Sequence, residues 1–190
     1  MKIAAIGDSI TYGFPYSPCA SWLGIAARHF GLEYLNCGVN GDTTSQMMQR
    51  FIRDVSYYHP THVIVMGGTN DVFESVSTKE ILDNIVSIIA SSRDNGITPI
   101  LGLPIPCSDL WAEEQLSEYR DQLRTIAYAQ FIDVIDFYSA MAGEGGLGSK
   151  DCLYCDGVHP NKAGYEVMAA AAIEFMERSL IMHKKDAELK

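Results

Sequence analysis

Five short apolar runs alternate along this chain with longer stretches of helical character, and this alternation limits the possible folds more than any other feature. The runs lie at residues 2–6, 33–37, 62–66, 99–103 and 132–136. The clearest of them are continuous in apolar residues, which is typical of strands buried on both faces. The pattern therefore predicts an α/β fold with about five parallel strands and helices on both faces of the sheet.

The helical stretches between the runs carry their own start and stop signals. Gly31 ends the first helix, Ser77-Thr78-Lys79-Glu80 offers a capping box for a later one that stops at Asn95-Gly96, and Asn161 caps the last. The helix at residues 44–57 is expected to bury one face, made of Met47, Met48, Phe51, Ile52 and Val55. The other predicted helices cover residues 20–30, 112–130 and 161 to about 182.

Length and composition indicate one globular domain. The chain has 190 residues, of which 47% are hydrophobic and 20% charged, and this length can bury a core without disulfide or metal support. We assign residues 1–182 to the domain and residues 183–190 to a polar tail. The Gly-rich segment 143–148 is expected to be a flexible loop.

Charge and hydropathy exclude several classes of partner. The formal net charge is −10, whereas nucleic acids and anionic membranes require a basic surface. No apolar run approaches the length of a membrane span. The apolar stretch at the start of the chain is too short for the core of a signal peptide. We therefore expect a cytoplasmic protein that has no membrane span and whose main partner is neither nucleic acid nor an anionic membrane.

The cysteines indicate neither a disulfide framework nor a metal site. The chain contains five, an odd and scattered set that suits reduced thiols. Cys152 and Cys155 have C-x-x-C spacing, but no second pair completes a four-ligand zinc site, and the pair lies too late in the chain for thioredoxin-like chemistry. We expect no metal.

A serine stands on the first loop at the ligand-binding edge of the predicted sheet. Ligands of parallel α/β sheets bind outside the carboxyl ends of the strands, and Gly7-Asp8-Ser9-Ile10 follows the first run directly. Ser9 is a candidate nucleophile, and its backbone N–H is a candidate oxyanion donor. Because Gly, Asp and Ser are ordinary turn formers, this segment taken alone fits a helix N-cap better.

A base for this serine is available in the segment Asp156-Gly157-Val158-His159-Pro160, just before the last predicted helix. His159 is the candidate base, because an imidazole side chain suits proton transfer near neutral pH. Asp156 precedes it on a turn and can orient the ring and stabilise the imidazolium. The alternative is a surface Asp and His on a turn shaped by Gly157 and Pro160.

Two further loops at the same edge offer hydrogen-bond donors for an oxyanion. Asn70 follows the third run within Gly67-Gly68-Thr69-Asn70-Asp71, and a side-chain amide there can donate. Gly41 follows the second run and can present a backbone N–H that no side chain covers. Each loop also fits an ordinary turn. Together with Ser9, Asp156 and His159, however, they form a complete set of groups for acyl transfer.

These four segments resemble the signature blocks of the SGNH/GDSL hydrolase family, in the family's order and across nearly the whole chain. The blocks are Gly7-Asp8-Ser9-Ile10, Asn40-Gly41-Asp42-Thr43, Gly68-Thr69-Asn70-Asp71 and Asp156-Gly157-Val158-His159. The resemblance implies a flavodoxin-like three-layer α/β/α sandwich without metal or cofactor. It implies a triad of Ser9, His159 and Asp156, and an oxyanion hole formed by Ser9 N–H, Gly41 N–H and the Asn70 side chain. Ile10, where the family often has Leu, is a conservative departure, and Asp8 is implied to organise the loop.

The function expected from this resemblance is hydrolysis of a small-molecule carboxylic ester through an acyl-enzyme on Ser9. An acyltransferase that uses the same acyl-enzyme is the nearest alternative, and a non-catalytic flavodoxin-like binding module is the other. Chymotrypsin-like proteases and α/β-hydrolases fit less well, because the former place His before Ser and the latter require Gly-x-Ser-x-Gly.

Short acyl chains, of about two to six carbons, are expected to be preferred, because few apolar walls are available to bury a longer one. No segment remains for a lid once the predicted elements are counted. The candidate walls are Tyr12, Phe14, Tyr16 and Trp22 after Ser9, Val72 and Phe73 after Asn70, and Ile105 between two prolines. The alternative is ordinary core and surface packing, which is expected to claim at least half of them.

Overall fold

A twisted parallel sheet forms the centre of the molecule. Within residues 1–143 and 150–181, the part of the chain that the computed structural model describes, five strands form this sheet in the order β2-β1-β3-β4-β5. All four strand pairs are parallel, and the order is that of flavodoxin-like folds. The predicted α/β class is confirmed. The strands are β1 (Lys2–Gly7), β2 (Glu33–Gly38), β3 (His62–Met66), β4 (Thr98–Gly102) and β5 (Asp133–Ile135).

Helices connect the strands. In the described residues the α-helices are α1 (Ser9–Tyr12), α2 (Trp22–Phe30), α3 (Thr44–Asp54), α4 (Thr69–Phe73), α5 (Thr78–Asp94), α6 (Leu110–Gln130), α7 (Phe137–Met141) and α8 (Lys162–Met176). Short 3₁₀ turns lie at Pro18–Ala20, Ser56–Tyr58 and Asp151–Leu153, and a π-helical turn follows α8 at Glu177–Ile181. No helix within the described ranges is both long and apolar enough to cross a bilayer.

The sheet separates two apolar cores, as alternate residues of each strand point to opposite faces. In β1, Ala4 and Ile6 belong to the core beneath α3, α5 and α6. Ile3 and Ala5 belong to the core beneath α2, α7 and α8. All four side chains are at most 1% exposed, which explains why this run has no polar alternation.

The prediction for the helix at residues 44–57 was wrong in its extent and in part of its buried face. Regular helix ends at Asp54, and Val55 and the following 3₁₀ turn complete the segment. Met48 and Ile52 are 36% and 56% exposed. They are displaced one position from the buried line of Met47, Phe51 and Val55, which repeats every fourth residue along the helix.

Other boundaries shifted by a few residues. The first predicted helix starts at Trp22, because Ser21 caps it by accepting the N–H of Gly24. The last predicted helix is regular only to Met176 and then widens into the π turn. Residue 182, the predicted tail at 183–190 and residues 144–148 of the predicted Gly-rich loop lie outside the described residues.

Candidate active site

The site lies where the carboxyl ends of β1, β2 and β3 stand side by side. Gly7 of β1 is in register with Gly38 of β2 and Met66 of β3. The next residues of the chain turn directly into α1, the loop before α3, and α4. The three loops in which the sequence predicted functional groups therefore leave the sheet at the same level.

Ser9 is the first residue of α1. Asp8 caps that helix: its carboxylate accepts the N–H of Ile10 at 2.9 Å. Gly13 ends α1 in the left-handed region at φ 106°. The Ser9 residue is 7% exposed. The segment is therefore a helix N-terminus, as the N-cap interpretation predicted. The capping side chain, however, is that of Asp8, so the hydroxyl of Ser9 is not used in capping.

Ser9, His159 and Asp156 form a hydrogen-bonded line. The Ser9 Oγ lies 3.0 Å from His159 Nε2, and His159 Nδ1 lies 2.8 Å from Asp156 Oδ2. The other carboxylate oxygen accepts the N–H groups of His159 and Val158, at 2.8 and 3.0 Å. Since an ionised carboxylate can only accept, Nδ1 carries the ring proton and Nε2 accepts from the serine hydroxyl.

The electrostatics of Asp156 favour this arrangement. Burial acts to raise the pKa of its carboxyl, but the hydrogen bonds from the backbone and ring of His159 and from the backbone of Val158 together outweigh burial. The pKa of Asp156 is therefore below its ordinary value, and the carboxylate remains ionised at neutral pH. An ionised partner stabilises the positive charge that an imidazole acquires when it takes a proton.

The loop that carries His159 is held by backbone contacts. The N–H of Cys155 donates to the carbonyl of His159 at 2.8 Å, which closes the turn between them. Gly157 has a φ of 80°, and a Cβ there would collide with the side chain of Ser108. Its carbonyl accepts the N–H of Ser108 at 2.8 Å. The loop after β4 thus fixes the loop of the base, and a glycine is needed where the two meet.

The first and last parts of the chain also meet beside the base. The hydroxyl of Tyr165 in α8 donates to the carbonyl of Phe14, just after α1, at 2.8 Å. The ring of Phe14 contacts the ring of His159 edge-on, with centroids 4.7 Å apart. These contacts place an aromatic ring against the imidazole and join segments that are far apart in sequence.

The structure also brings the two other candidate oxyanion donors close together. The Asn70 Nδ2 donates to the backbone carbonyl of Asp42 at 2.9 Å, and Asp42 directly follows Gly41. This bond fixes which end of the amide is the nitrogen and leaves its second N–H for another acceptor. Gly41 has a φ of 82°, and the space where a Cβ would stand is open. Asn70 and Gly41 are thus neighbours at the edge where Ser9 lies.

The sequence analysis assigned no role to several polar residues that pack beneath the site. Asp71 is 1% exposed and accepts from both the N–H and the hydroxyl of Thr44, at 2.9 and 2.6 Å. Asn84 of α5 in turn donates to the Thr44 hydroxyl at 3.1 Å. These bonds join α4 to the start of α3. The signal was present, since Asp71 belongs to one motif and Thr44 lies next to another, but their pairing is long-range.

Asp8 is the most strongly perturbed carboxyl of the site. Burial raises its pKa from 3.8 to about 6, against the N–H of Ile10 and the nearby His159, which act to lower it. In the unfolded chain the same group titrates at its ordinary pKa. The pKa of this carboxyl therefore links folding to pH.

Replacing Asp8 with asparagine is expected to remove this link. Between about pH 4 and pH 6 the folded wild type binds more protons than the unfolded chain, so its free energy of unfolding falls as pH rises. The Asp8→Asn variant keeps an oxygen that accepts from Ile10 but does not titrate. Across that window the wild type is expected to lose about 3 kcal/mol relative to the variant. Urea unfolding over the same pH range measures both, and parallel curves would contradict the assignment.

The predicted apolar walls fall into two groups. Trp22, Val72 and Ile105 are at most 4% exposed and belong to the cores, as the alternative of ordinary packing predicted for part of this set. Phe14 and Phe73 are 38% and 44% exposed, while Tyr12 and Tyr16 are half-buried. The sequence analysis did not include Trp111, which is 51% exposed at the start of α6 and, with Val72, lines a pocket of about 190 Å³.

Neither a metal site nor a disulfide is formed by the described residues. No group of three or more His, Cys, Asp or Glu side chains in those ranges is arranged to hold a metal ion. All five cysteines, Cys152 and Cys155 included, are unpaired.

Comparisons with known proteins show what the chain as a whole is similar to. The model of the GDSL-like lipase/acylhydrolase family matches residues 5–167. A crystal structure of a member of the lipolytic protein G-D-S-L family from Veillonella parvula superposes with a TM-score of 0.83 at 26% identity, covering 94% of this chain and 99% of that one. An arylesterase from Vibrio mimicus is 22% identical over 187 residues, 96% of this chain and 89% of its own. The lipoprotein YqeF of Bacillus subtilis is 35% identical over 117 residues, which are 55% of this chain and 48% of the lipoprotein, so the match spans about half of that relative.

Proposed function

Since the chain belongs to the GDSL-like lipase/acylhydrolase family, we propose that it is a serine esterase that hydrolyses small carboxylic esters through an acyl-enzyme on Ser9. The observation that carries the proposal is the line from Ser9 Oγ to His159 Nε2, at 3.0 Å, and from His159 Nδ1 to Asp156, at 2.8 Å. A nucleophile, a base and a group that orients the base are the parts that covalent acyl transfer needs.

In the first half of the reaction, Ser9 Oγ attacks the ester carbonyl while His159 Nε2 takes its proton. Asp156 stabilises the resulting imidazolium through Nδ1–H. The same Nε2–H then protonates the leaving alcohol, and the acyl group remains on Ser9. In the second half, His159 takes a proton from water, which attacks the acyl-enzyme. His159 then returns this proton to Ser9 Oγ as the bond from the acyl group to Ser9 breaks, and the acid is released.

Negative charge develops on the carbonyl oxygen in both halves. The donors proposed for it are the N–H of Ser9, the N–H of Gly41 and the Nδ2 of Asn70. The bond from Asn70 to the carbonyl of Asp42 supports this role, because it holds the amide nitrogen beside Gly41. Donors fixed before the reaction stabilise an oxyanion without the cost of reorganisation.

Acetyl to hexanoyl esters are the proposed substrates. Support comes from the burial of Trp22 and Ile105 in the core, which leaves Phe14 and Phe73 as the exposed members of the predicted walls. Each methylene of an acyl chain gains roughly 0.8 kcal/mol only if apolar surface covers it. The cytoplasmic location expected from the sequence stays a prediction, and one relative is a lipoprotein.

A panel of p-nitrophenyl esters of increasing acyl length tests the reaction and the preference together. We expect kcat/KM to be highest between about two and six carbons and to fall beyond them. Intact-mass measurement after rapid acid quenching is expected to find one acyl group, located on the peptide that contains Ser9. Hydrolysis without such an adduct, or with the acyl group on another residue, would contradict the mechanism. A maximum at decanoate or longer would contradict only the preference.

A further inference from the structure

Arg50 is a buried arginine of α3 that lies outside the groups assigned above. It is 8% exposed, and all three of its nitrogens donate. Nε donates to Asp42 Oδ2 at 2.5 Å, Nη1 to Asp54 Oδ2 at 3.2 Å, and Nη2 to the backbone carbonyl of Gly7 at 3.0 Å. A guanidinium holds such partners in fixed directions, because its donors lie in one plane.

Two of the three partners of Arg50, Gly7 and Asp42, lie beside the proposed oxyanion donors. Gly7 ends β1 and is followed by Asp8 and Ser9. Asp42 follows Gly41, and its backbone carbonyl accepts from Asn70 at 2.9 Å. Gly41 directly precedes Asp42, Asn70 is hydrogen-bonded to Asp42, and Ser9 lies two residues after Gly7. Each of the three oxyanion donors is therefore close to a group that Arg50 binds.

Arg50 and the carbonyl of Gly7 hold the loop between β2 and α3 at both of its ends. The carbonyl of Gly7 accepts the N–H of Val39 at 3.0 Å as well as Nη2 of Arg50. The N–H of Asp42 donates to the carbonyl of Val39 at 3.2 Å. Gly41 lies within this closed loop, with no neighbouring atoms packed where a side chain would be. The orientation of the Gly41 backbone is thus set by the hydrogen bonds that hold the loop and not by side chains packed around it.

From these contacts we propose that Arg50 is a positioning residue that aligns the oxyanion donors of Ser9, Gly41 and Asn70. It acts by fixing the loop of Asp42 against the end of β1, and it does not touch the reacting atoms. The inference rests on the proposed esterase function. It predicts that loss of Arg50 weakens stabilisation of the transition state far more than binding of the ester.

The direct test is the Arg50→Met variant, which keeps the apolar stem and removes the guanidinium. We expect kcat for p-nitrophenyl acetate to fall about 100-fold, as for small displacements of catalytic groups, with KM changed by less than about 3-fold. Arg53→Met is the matched control. Arg53 stands on the same helix, pairs with the same Asp54 and has a side chain that is 76% exposed, so we expect its kcat to equal that of the wild type.

Removal of Arg50 alone leaves Asp42 buried without its partner, which can prevent folding. The double variant Arg50→Met with Asp42→Asn removes both charges and leaves the backbone carbonyl of Asp42 in place. Circular dichroism and thermal unfolding establish that it is folded. We expect the same large fall in kcat as for Arg50→Met, and a folded double variant with the kcat of the wild type would overturn the proposal.

A double-mutant cycle with Asn70→Ala separates positioning from general damage. If Arg50 acts through the oxyanion donors, its replacement lowers kcat less when Asn70 has already been replaced. The fall in kcat of the combined variant is then smaller than the product of the falls in the two single variants. A fall in the combined variant equal to that product would contradict the proposal.

The Ser9→Ala variant is measured alongside. If it keeps wild-type activity, the proposed function itself fails. An inactive Ser9→Ala variant together with a fully active Arg50→Met variant refutes only the role of Arg50.

Discussion

Replacement of Ser9 with alanine is expected to reduce kcat for p-nitrophenyl acetate by roughly 10⁶-fold, to the level of the reaction without the nucleophile. The change removes one oxygen atom. It leaves Asp8 capping α1 through Ile10 and leaves Gly13 at the end of that helix, so the fold should be retained. Without Oγ no acyl-enzyme forms, and the proposed oxyanion donors alone supply little of the rate.

Steady-state kinetics and intact-mass measurement check this result together. The matched control is Ser87→Ala, which removes a hydroxyl that donates to the carbonyl of Asp83 on the exposed side of α5. We expect the control to keep wild-type kcat and to form the same adduct. A folded Ser9→Ala protein that keeps more than about a tenth of the activity would show that another residue is the nucleophile.

Replacement of His159 with alanine is expected to be nearly as damaging, because members of a triad act as a unit. Without the imidazole, nothing accepts the proton of Ser9 Oγ, and a neutral serine is a weak nucleophile. The ring is partly exposed, with 23% of its side-chain surface accessible, so its loss leaves no buried cavity. The expected fall in kcat is roughly 10⁵- to 10⁶-fold.

The combined variant Ser9→Ala with His159→Ala sharpens this second prediction. If the two residues act as one unit, the combined variant is no slower than either single variant. His29→Ala serves as the control, because His29 is about half exposed and its nearest acidic partner, Glu177, is 4.0 Å away. Measurable burst kinetics in His159→Ala would contradict the assignment of the base.

The sheet was predictable from sequence because its central strands are buried on both faces. The run at 62–66 coincides with β3. The turn residues and polar residues on either side of it determine where the strand begins and ends. The face of α3 was less predictable. Met47 and Met48, or Phe51 and Ile52, are equally apolar neighbours, and only the angle at which the helix meets the sheet decides which of each pair is buried.

The candidate site was predictable to the extent that its groups lie in motifs next to strand ends. Ser9, His159 and Asp156 meet as expected, whereas their roles in catalysis stay predictions. Arg50 was not predictable in this way. In sequence it resembles Arg53, three positions further along the same helix, and what distinguishes it is a bond to the carbonyl of Gly7, 43 residues away. Single-residue patterns carry no information on such a partner.

The contact between Tyr165 and Phe14 affects a chain that is still being made. Synthesis proceeds from the amino end, so Ser9 leaves the ribosome long before His159, which follows it by 150 residues. With the roles proposed for Ser9 and His159, the serine lacks its base until His159 has been made and α8 has docked, with Tyr165 bonded to Phe14. A chain that ends before His159 is then expected to be inert toward esters, and turnover is expected to begin only after these distant segments have come together.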